Sequence, residues 1–197
     1  PTYVNVYLGD IDSMGHRHGI TSSQFADAVD GCWKRIEEQF FAKLSSKKKT
    51  AILLTADHGM SPVDPKGTIY LNRLIPEIYE YLKKTGSGKY MAPAGSCRDF
   101  FLYIKEERLE EAHLLLTEKL MGVADVVRVD ELLQKGFFGR LPPSKRLNER
   151  IGNLLILPYL GESVWWFEKH RFEQHFYAAH GGLTPSEMES IFLFCNR

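Results

Sequence analysis

Five residues of this 197-residue chain have types and spacings that could do metal chemistry. Asp12 and His16 stand in "DSMGHRHG", Asp57 and His58 in "TADHGM", and His180 in "AAHGGL". Carboxylate oxygen and imidazole nitrogen suit zinc and, to a lesser degree, manganese. Asp12 and His16, four apart, meet on one side of a helical turn or fold together in a loop. Each pair has a glycine within it or beside it, and glycines let a tight loop turn both side chains inward. His180 alone is weak, because a lone histidine is more often structural. Two Asp/His loops aimed at one sheet edge make it a candidate third ligand. Spacing by itself leaves each loop open to two readings, a ligand cradle or a simple turn.

The elements that must position these residues are visible as hydrophobic patterns. "YVNVYL" (Tyr3 to Leu8) is β-branched and aromatic and stops at Gly9-Asp10, which predicts a buried strand running into a loop. Phe25, Val29, Trp33, Ile36, Phe40 and Leu44 recur at helical spacing, with Thr21 and Gln24 as a capping box at the start. "SSKKKT" (Ser45 to Thr50) reads as a solvated turn, and "AILLT" after it as a short apolar strand. Strand, helix and strand at this separation predict a parallel βαβ unit, with both polar loops at the carboxyl ends of neighbouring strands. Open α/β sheets place their sites there.

Beyond Lys84 the chain is Gly-, Ser- and Lys-rich to Ala94, a loop leading out of the main sheet. A strand at Arg98 to Ile104, a helix at Glu106 to Met121 and a strand at Val123 to Val129 follow, read as a small inserted α+β subdomain. "GFFGRLPP" (Gly136 to Pro143) returns the chain to another buried strand, "NLLILPYL", with "SVWWF" as a possible pairing partner. Thr184 and Pro185 suit an N-cap and first turn before a last strand at Ile191 to Cys195. The fold class expected is α/β, a mostly parallel sheet flanked by helices. Its parts are a metal-site core at 1–84, the insertion at 85–140, and a return to the core at 141–197 with the last ligand loop.

Composition narrows the partners. Lys and Arg total 25 and Asp and Glu total 25, so no strong field favours nucleic acid or an anionic membrane. Cys32, Cys97 and Cys195 form no CxxC pair and read as reduced core thiols. No apolar run approaches the ~18 residues of a bilayer span. The opening Pro1-Thr2-Tyr3 runs straight into a strand-like stretch, so the chain reads as starting inside a larger fold, and its compartment stays open.

"DSMGHRHG", "TADHGM" followed by "TIYLN", and "HGGLTPSEM" together resemble the second, third and last metal motifs of the alkaline phosphatase superfamily. The nearest branch is the type I phosphodiesterase/nucleotide pyrophosphatase family. Residues 3–20, 51–72 and 176–195 carry the resemblance. It implies an alkaline phosphatase-like fold, here partial, with Asp12, His16 and His180 holding one zinc and Asp57 and His58 part of a second zinc site. In that family the second metal also takes an early aspartate and a nucleophilic threonine or serine. Neither belongs to a motif in this chain, since Thr21, Ser22 and Ser23 follow the Asp12 loop and read as a helix start. The chain therefore resembles the C-terminal half of such an enzyme and is expected to be inactive alone. Its implied partners are a phosphate-ester or nucleotide-like substrate and the missing N-terminal segment of the same protein.

Cofactor-independent phosphoglycerate mutases carry similar motifs, commonly with Asn where Met60 stands, and phosphonoacetate hydrolase-like members also share an HGG-type ending. A non-catalytic, metal-stabilised module is the alternative outside enzymology. His18, His113, His170 and His175 are not promoted to ligands. Trp165, Trp166, Phe167 and Tyr177 could stack on a nucleobase, but core packing is the better reading. Arg98 and Asp99 read as an ion pair or cap.

Overall fold

Helix α1, Asp10–His18, carries Asp10 and Asp12 in its first turn and Arg17 in its last, which places charge to complement the helix dipole. Helix α2, Ser23–Gln39, starts one residue later than the sequence pattern suggests. Its N-cap is Ser22, whose Oγ accepts from the Phe25 amide at 3.1 Å, and neither Thr21 nor Gln24 forms the expected box. These and all following elements come from a computed structural model that describes residues 2–44, 49–139 and 142–196. Residues 45–48 of the expected Ser45 to Thr50 turn, and Arg140 and Leu141 of the return, lie outside the described residues.

Along the chain come β1 (Ala51–Thr55), β2 (Ser61–Pro62), β3 (Ile69–Tyr70), α3 (Leu71–Leu74), β4 (Ala94–Gly95) and β5 (Phe100–Leu102). Then follow α4 (Leu109–Lys119), β6 (Ala124–Arg128), α5 (Val129–Gln134), α6 (Lys145–Asn148) and β7 (Leu154–Pro158). The chain ends with β8 (Val164–Trp165), β9 (Ala178–Ala179), α7 (Pro185–Met188) and β10 (Phe192–Asn196).

The α/β class holds, but the mostly parallel sheet does not appear. Among the described residues only β3 and β8 pair in parallel. β1 runs antiparallel to β10, Ala51 opposite Asn196 and Thr55 opposite Phe192, and the four-stranded sheet β4-β5-β7-β6 is antiparallel throughout. The predicted βαβ unit fails because its first strand does not form. Tyr3 to Leu8 belongs to no strand, with Tyr3 88% and Tyr7 79% exposed. A β-branched run takes up strand structure only against a pleated, half-buried neighbour, and among the described residues no strand pairs with it. The "SVWWF" segment also finds a different partner. Val164 and Trp165 align with Ile69 and Tyr70 of β3, and β7 is already flanked by β5 and β6.

The core sits around that four-stranded sheet. Successive side chains of a strand face opposite ways, so Phe100, Leu102, Leu154 and Ile156 point into one apolar cluster with Leu116 and Leu120 from the α4 region. Phe101 and Leu155 point into another with Val129, Leu132 and Ile151. β1 and β10 are apolar too, yet Leu53 is 64% and Phe192 70% exposed. Leu154→Ala is thus expected to cost about 3 kcal/mol through lost burial and a cavity, and Leu53→Ala to stay within about 0.5 kcal/mol. Urea unfolding of the two variants checks this, and equal losses would place the core wrongly.

Candidate metal centre

The site is built where α1 meets the short β2–β9 ladder. Ser61 pairs with Ala179 and Pro62 with Ala178, so the segments carrying His58 and His180 emerge side by side. The Tyr177 amide donates to the His16 carbonyl at 2.8 Å, fastening α1 across β9. One helical turn brings Asp12 Oδ1 to 3.4 Å from His16 Nε2, and His180 Nε2 lies 3.7 Å from the same oxygen. Donor atoms of Asp12, His16 and His180 all fall within 4.8 Å of one another.

Three observations bear on whether this set fits a cation. Asp12 Oδ1 is buried and has no hydrogen-bond partner, although burying an unpaired carboxylate oxygen is costly. His16 Nδ1 lies 2.7 Å from the Ala178 carbonyl oxygen and must donate there, which leaves the Nε2 lone pair free to face Asp12 and His180. Such an outward hydrogen bond is what orients metal-ligating histidines. Third, burial, then the neighbouring His58 and His16, hold the His180 pKa below its ordinary value, favouring the neutral imidazole that ligation needs. Two nitrogens and one carboxylate oxygen match the donor chemistry of zinc.

Asp57 and His58 stand at the rim of this triad. The His58 ring stacks on His180 at 3.6 Å between centroids, 19° from parallel. His58 Nδ1 donates to the Gly59 carbonyl at 2.9 Å, and its Nε2 lies 3.7 Å from Asp57 Oδ1. The Asp57 side chain is largely exposed. His58 and Asp57 thus adjoin the cluster without completing a three-ligand group of their own among the described residues.

Two glycines are required by close approach. A Cβ on Gly59 would lie 2.1 Å from the Ser186 carbonyl oxygen, and one on Gly181, at φ +116°, 2.7 Å from Asp99 Oδ1. Both loops therefore hug backbone or the half-buried Asp99 carboxylate with no space for a side chain. His113 Nε2 donates to the Val126 carbonyl at 2.9 Å, and His175 pairs at 3.7 Å with Glu173. Neither joins the cluster. Trp165 and Trp166 pack with the main apolar core. Cys97 is buried, and burial pushes its thiol up to about 11, leaving it inert; Cys195 is exposed, against the expectation of a core thiol.

Sequence reasoning missed Glu187, which is almost fully buried beside this site. The signal was present in "TPSE", a Ser/Thr-x-x-Glu pattern that places a carboxylate at the third position of a helix.

The sequence profile of the type I phosphodiesterase / nucleotide pyrophosphatase family matches residues 1–183. This chain belongs to that family. No curated protein sequence matches the chain. Solved structures similar to this family member include human ectonucleotide pyrophosphatase/phosphodiesterase 5, at 18% identity and a TM-score of 0.63, covering 93% of this chain and 44% of that one. An inactive variant of the murine protein of that name, in complex with AMP, aligns at 17% identity and a TM-score of 0.65 over the same shares. Phosphonoacetate hydrolase from Sinorhizobium meliloti 1021, with phosphonoformate, aligns at 19% and 0.55, over 93% of this chain and 43% of that one. At these identities the likeness is one of fold. The chain spans less than half the length of each.

Proposed function

We propose that this chain carries the metal-holding part of a hydrolase acting on phosphodiester or nucleotide pyrophosphate bonds. The observation that carries the proposal is the convergence of residues as distant as 12 and 180 on a buried Asp12 oxygen that has no hydrogen-bond partner among the described residues. In this reading Asp12, His16 and His180 hold one zinc, and Asp57 and His58 contribute to a second. A pair of bound divalent ions supplies Lewis-acid stabilisation of phosphoryl charge and activation of an oxygen nucleophile. The chain's own residues hold that site in register. Ala178 fixes the His16 tautomer through its carbonyl, and β2 and β9 align the other two histidine loops.

The nucleophile lies outside these residues in our reading. Ser22, the nearest hydroxyl in sequence to the Asp12 helix with a defined bonding role, donates to the Gly19 carbonyl at 2.7 Å and accepts from Phe25. It is committed to capping α2. A segment of the same protein bearing a threonine or serine after an early aspartate would complete the second site and cover the exposed faces of β1 and β10. We retain the three-part organisation 1–84, 85–140 and 141–197, with β7 of the return lending its strand to the sheet of the insertion.

AMP bound to the murine relative, with the family match over residues 1–183, supports a nucleotide-like substrate. A phosphonate hydrolase is the second reading. The chain alone is expected to release no nitrophenol from bis-nitrophenyl phosphate, whereas a protein that also carries the upstream hydroxyl should do so with zinc and lose it on Asp57→Ala. Substantial turnover by the chain alone, abolished by His16→Ala, would put the nucleophile within it and overturn this division.

A further inference from the structure

Glu187 and Arg98 form a buried ion pair away from any candidate ligand position, and it touches both histidine loops. Their side chains are 1% and 0% exposed. The guanidinium grips the carboxylate twice, Nε to Oε1 at 2.9 Å and Nη2 to Oε2 at 2.8 Å. Its Nη1 donates to the carbonyls of Tyr159, at 2.8 Å, and Glu162, anchoring the pair on the segment that follows β7. Glu187 in turn reaches the site from two sides. Its Oε1 accepts from the Gly182 amide at 3.0 Å, two residues beyond His180. Its own backbone carbonyl accepts from the Gly59 amide at 2.8 Å, one residue beyond His58. Ser96, whose Oγ accepts from the Arg98 amide, places the same oxygen 3.1 Å from the His180 carbonyl.

A buried ion pair is seldom the most stable filling for its space, because desolvation offsets most of the attraction. His58 and His180 are only partly buried, so packing alone fixes their loops less firmly than it fixes core side chains. The β2–β9 ladder aligns the two loops, and the polar clamp ties both of them to one buried side chain beyond that ladder, with the rings 3.6 Å apart. We propose that Glu187, fixed by Arg98, is a positioning residue that holds the His58 and His180 loops at the mutual spacing the metal site needs. The pair would thereby transmit the geometry of the β7 region to the metal site. This inference rests on the metal reading above, and its test separates the two.

The test pairs Arg98→Met with Glu187→Gln in one chain, leaving no buried unpaired charge and an amide oxygen for Gly182. Two readouts are taken on protein that melts cooperatively: zinc affinity by competition with a chelating dye, and the ring-current shifts of the His58 and His180 ring protons in chelator. The expected result is a 10- to 100-fold weaker zinc affinity, the usual effect of losing support behind a ligand, with the ring-current shifts collapsing toward those of isolated histidines. Wild-type affinity and unchanged shifts in the folded double variant would overturn the inference. Arg98→Lys, which keeps the charge but loses the two-pronged grip, is read in the same way should the double variant not fold. A wild-type chain without zinc affinity defeats the metal reading, and the ring-current readout then decides the positioning role by itself.

Discussion

Zinc at about 1,000 times its dissociation constant is expected to stabilise the folded chain by about 4 kcal/mol, and His180→Ala to remove that gain. For a chain of this length, about 1 kcal/mol moves the melting temperature by about 2–4 °C, so the zinc-dependent rise is about 8–16 °C. The argument is one of linkage. Asp12 Oδ1 is buried without a hydrogen-bond partner among the described residues, and a cation bound only in the folded state would offset that cost. Removing His180 takes away one of the three donors grouped within 4.8 Å and the ring on which His58 stacks. In chelator the variant should melt within a few degrees of the wild type, because His180 is only partly buried and lies outside the apolar clusters. Parallel thermal melts, with elemental analysis of bound zinc, check the result. An equal zinc-induced rise in both proteins would remove His180 from the site.

Glu187→Ala is expected to destabilise the chain by about 3–5 kcal/mol, the range for breaking a buried pair from one side. Arg98 has no water to turn to, since its side chain is 0% exposed. The truncation also strips acceptors from the Gly182 amide and the Thr184 hydroxyl. Burial pushes the Glu187 carboxyl up, but hydrogen bonds from Arg98 and Thr184 outweigh it and hold the group below the usual carboxylate range. Its charged form is therefore the one the fold has selected. Adding Arg98→Met to the alanine variant should restore part of the loss, because the stranded charge is gone while the unsatisfied amide remains. Urea unfolding of the single and double variants measures this, and a loss below about 1 kcal/mol in the single variant would show that Arg98 finds another partner.

Local pattern carried a good part of the architecture. Helix α2 follows from Phe25, Val29 and Ile36 recurring at helical spacing, and its cap moved by a single residue to Ser22. β1, β5, β6 and β7 each fall inside a stretch of apolar or β-branched residues that reads as strand in the sequence, and β10 lies one residue further on than its stretch. Such features depend on residues a few positions apart, and the sequence displays them directly. The candidate ligands were legible for a related reason. Asp, His and Gly in short loops have few interchangeable chemistries, and three such loops in a fixed order carry a family's mark, here matched over residues 1–183.

What the tertiary structure alone decided is which edges meet. Tyr3 to Leu8 has every local property of a strand and forms none, because strand structure is completed by a neighbour's hydrogen bonds and not by propensity. For the same reason the direction of β1 against β10 and the pairing of Val164 with Ile69 could not be read in advance. The Arg98–Glu187 clamp lies still further from local pattern, joining residues 89 positions apart. An arginine before a strand and a glutamate in a short helix are ordinary surface residues until folding excludes water from both. Only then do they become a buried, doubly bonded charge pair beneath the His58 and His180 loops, and only the packed chain contains that fact.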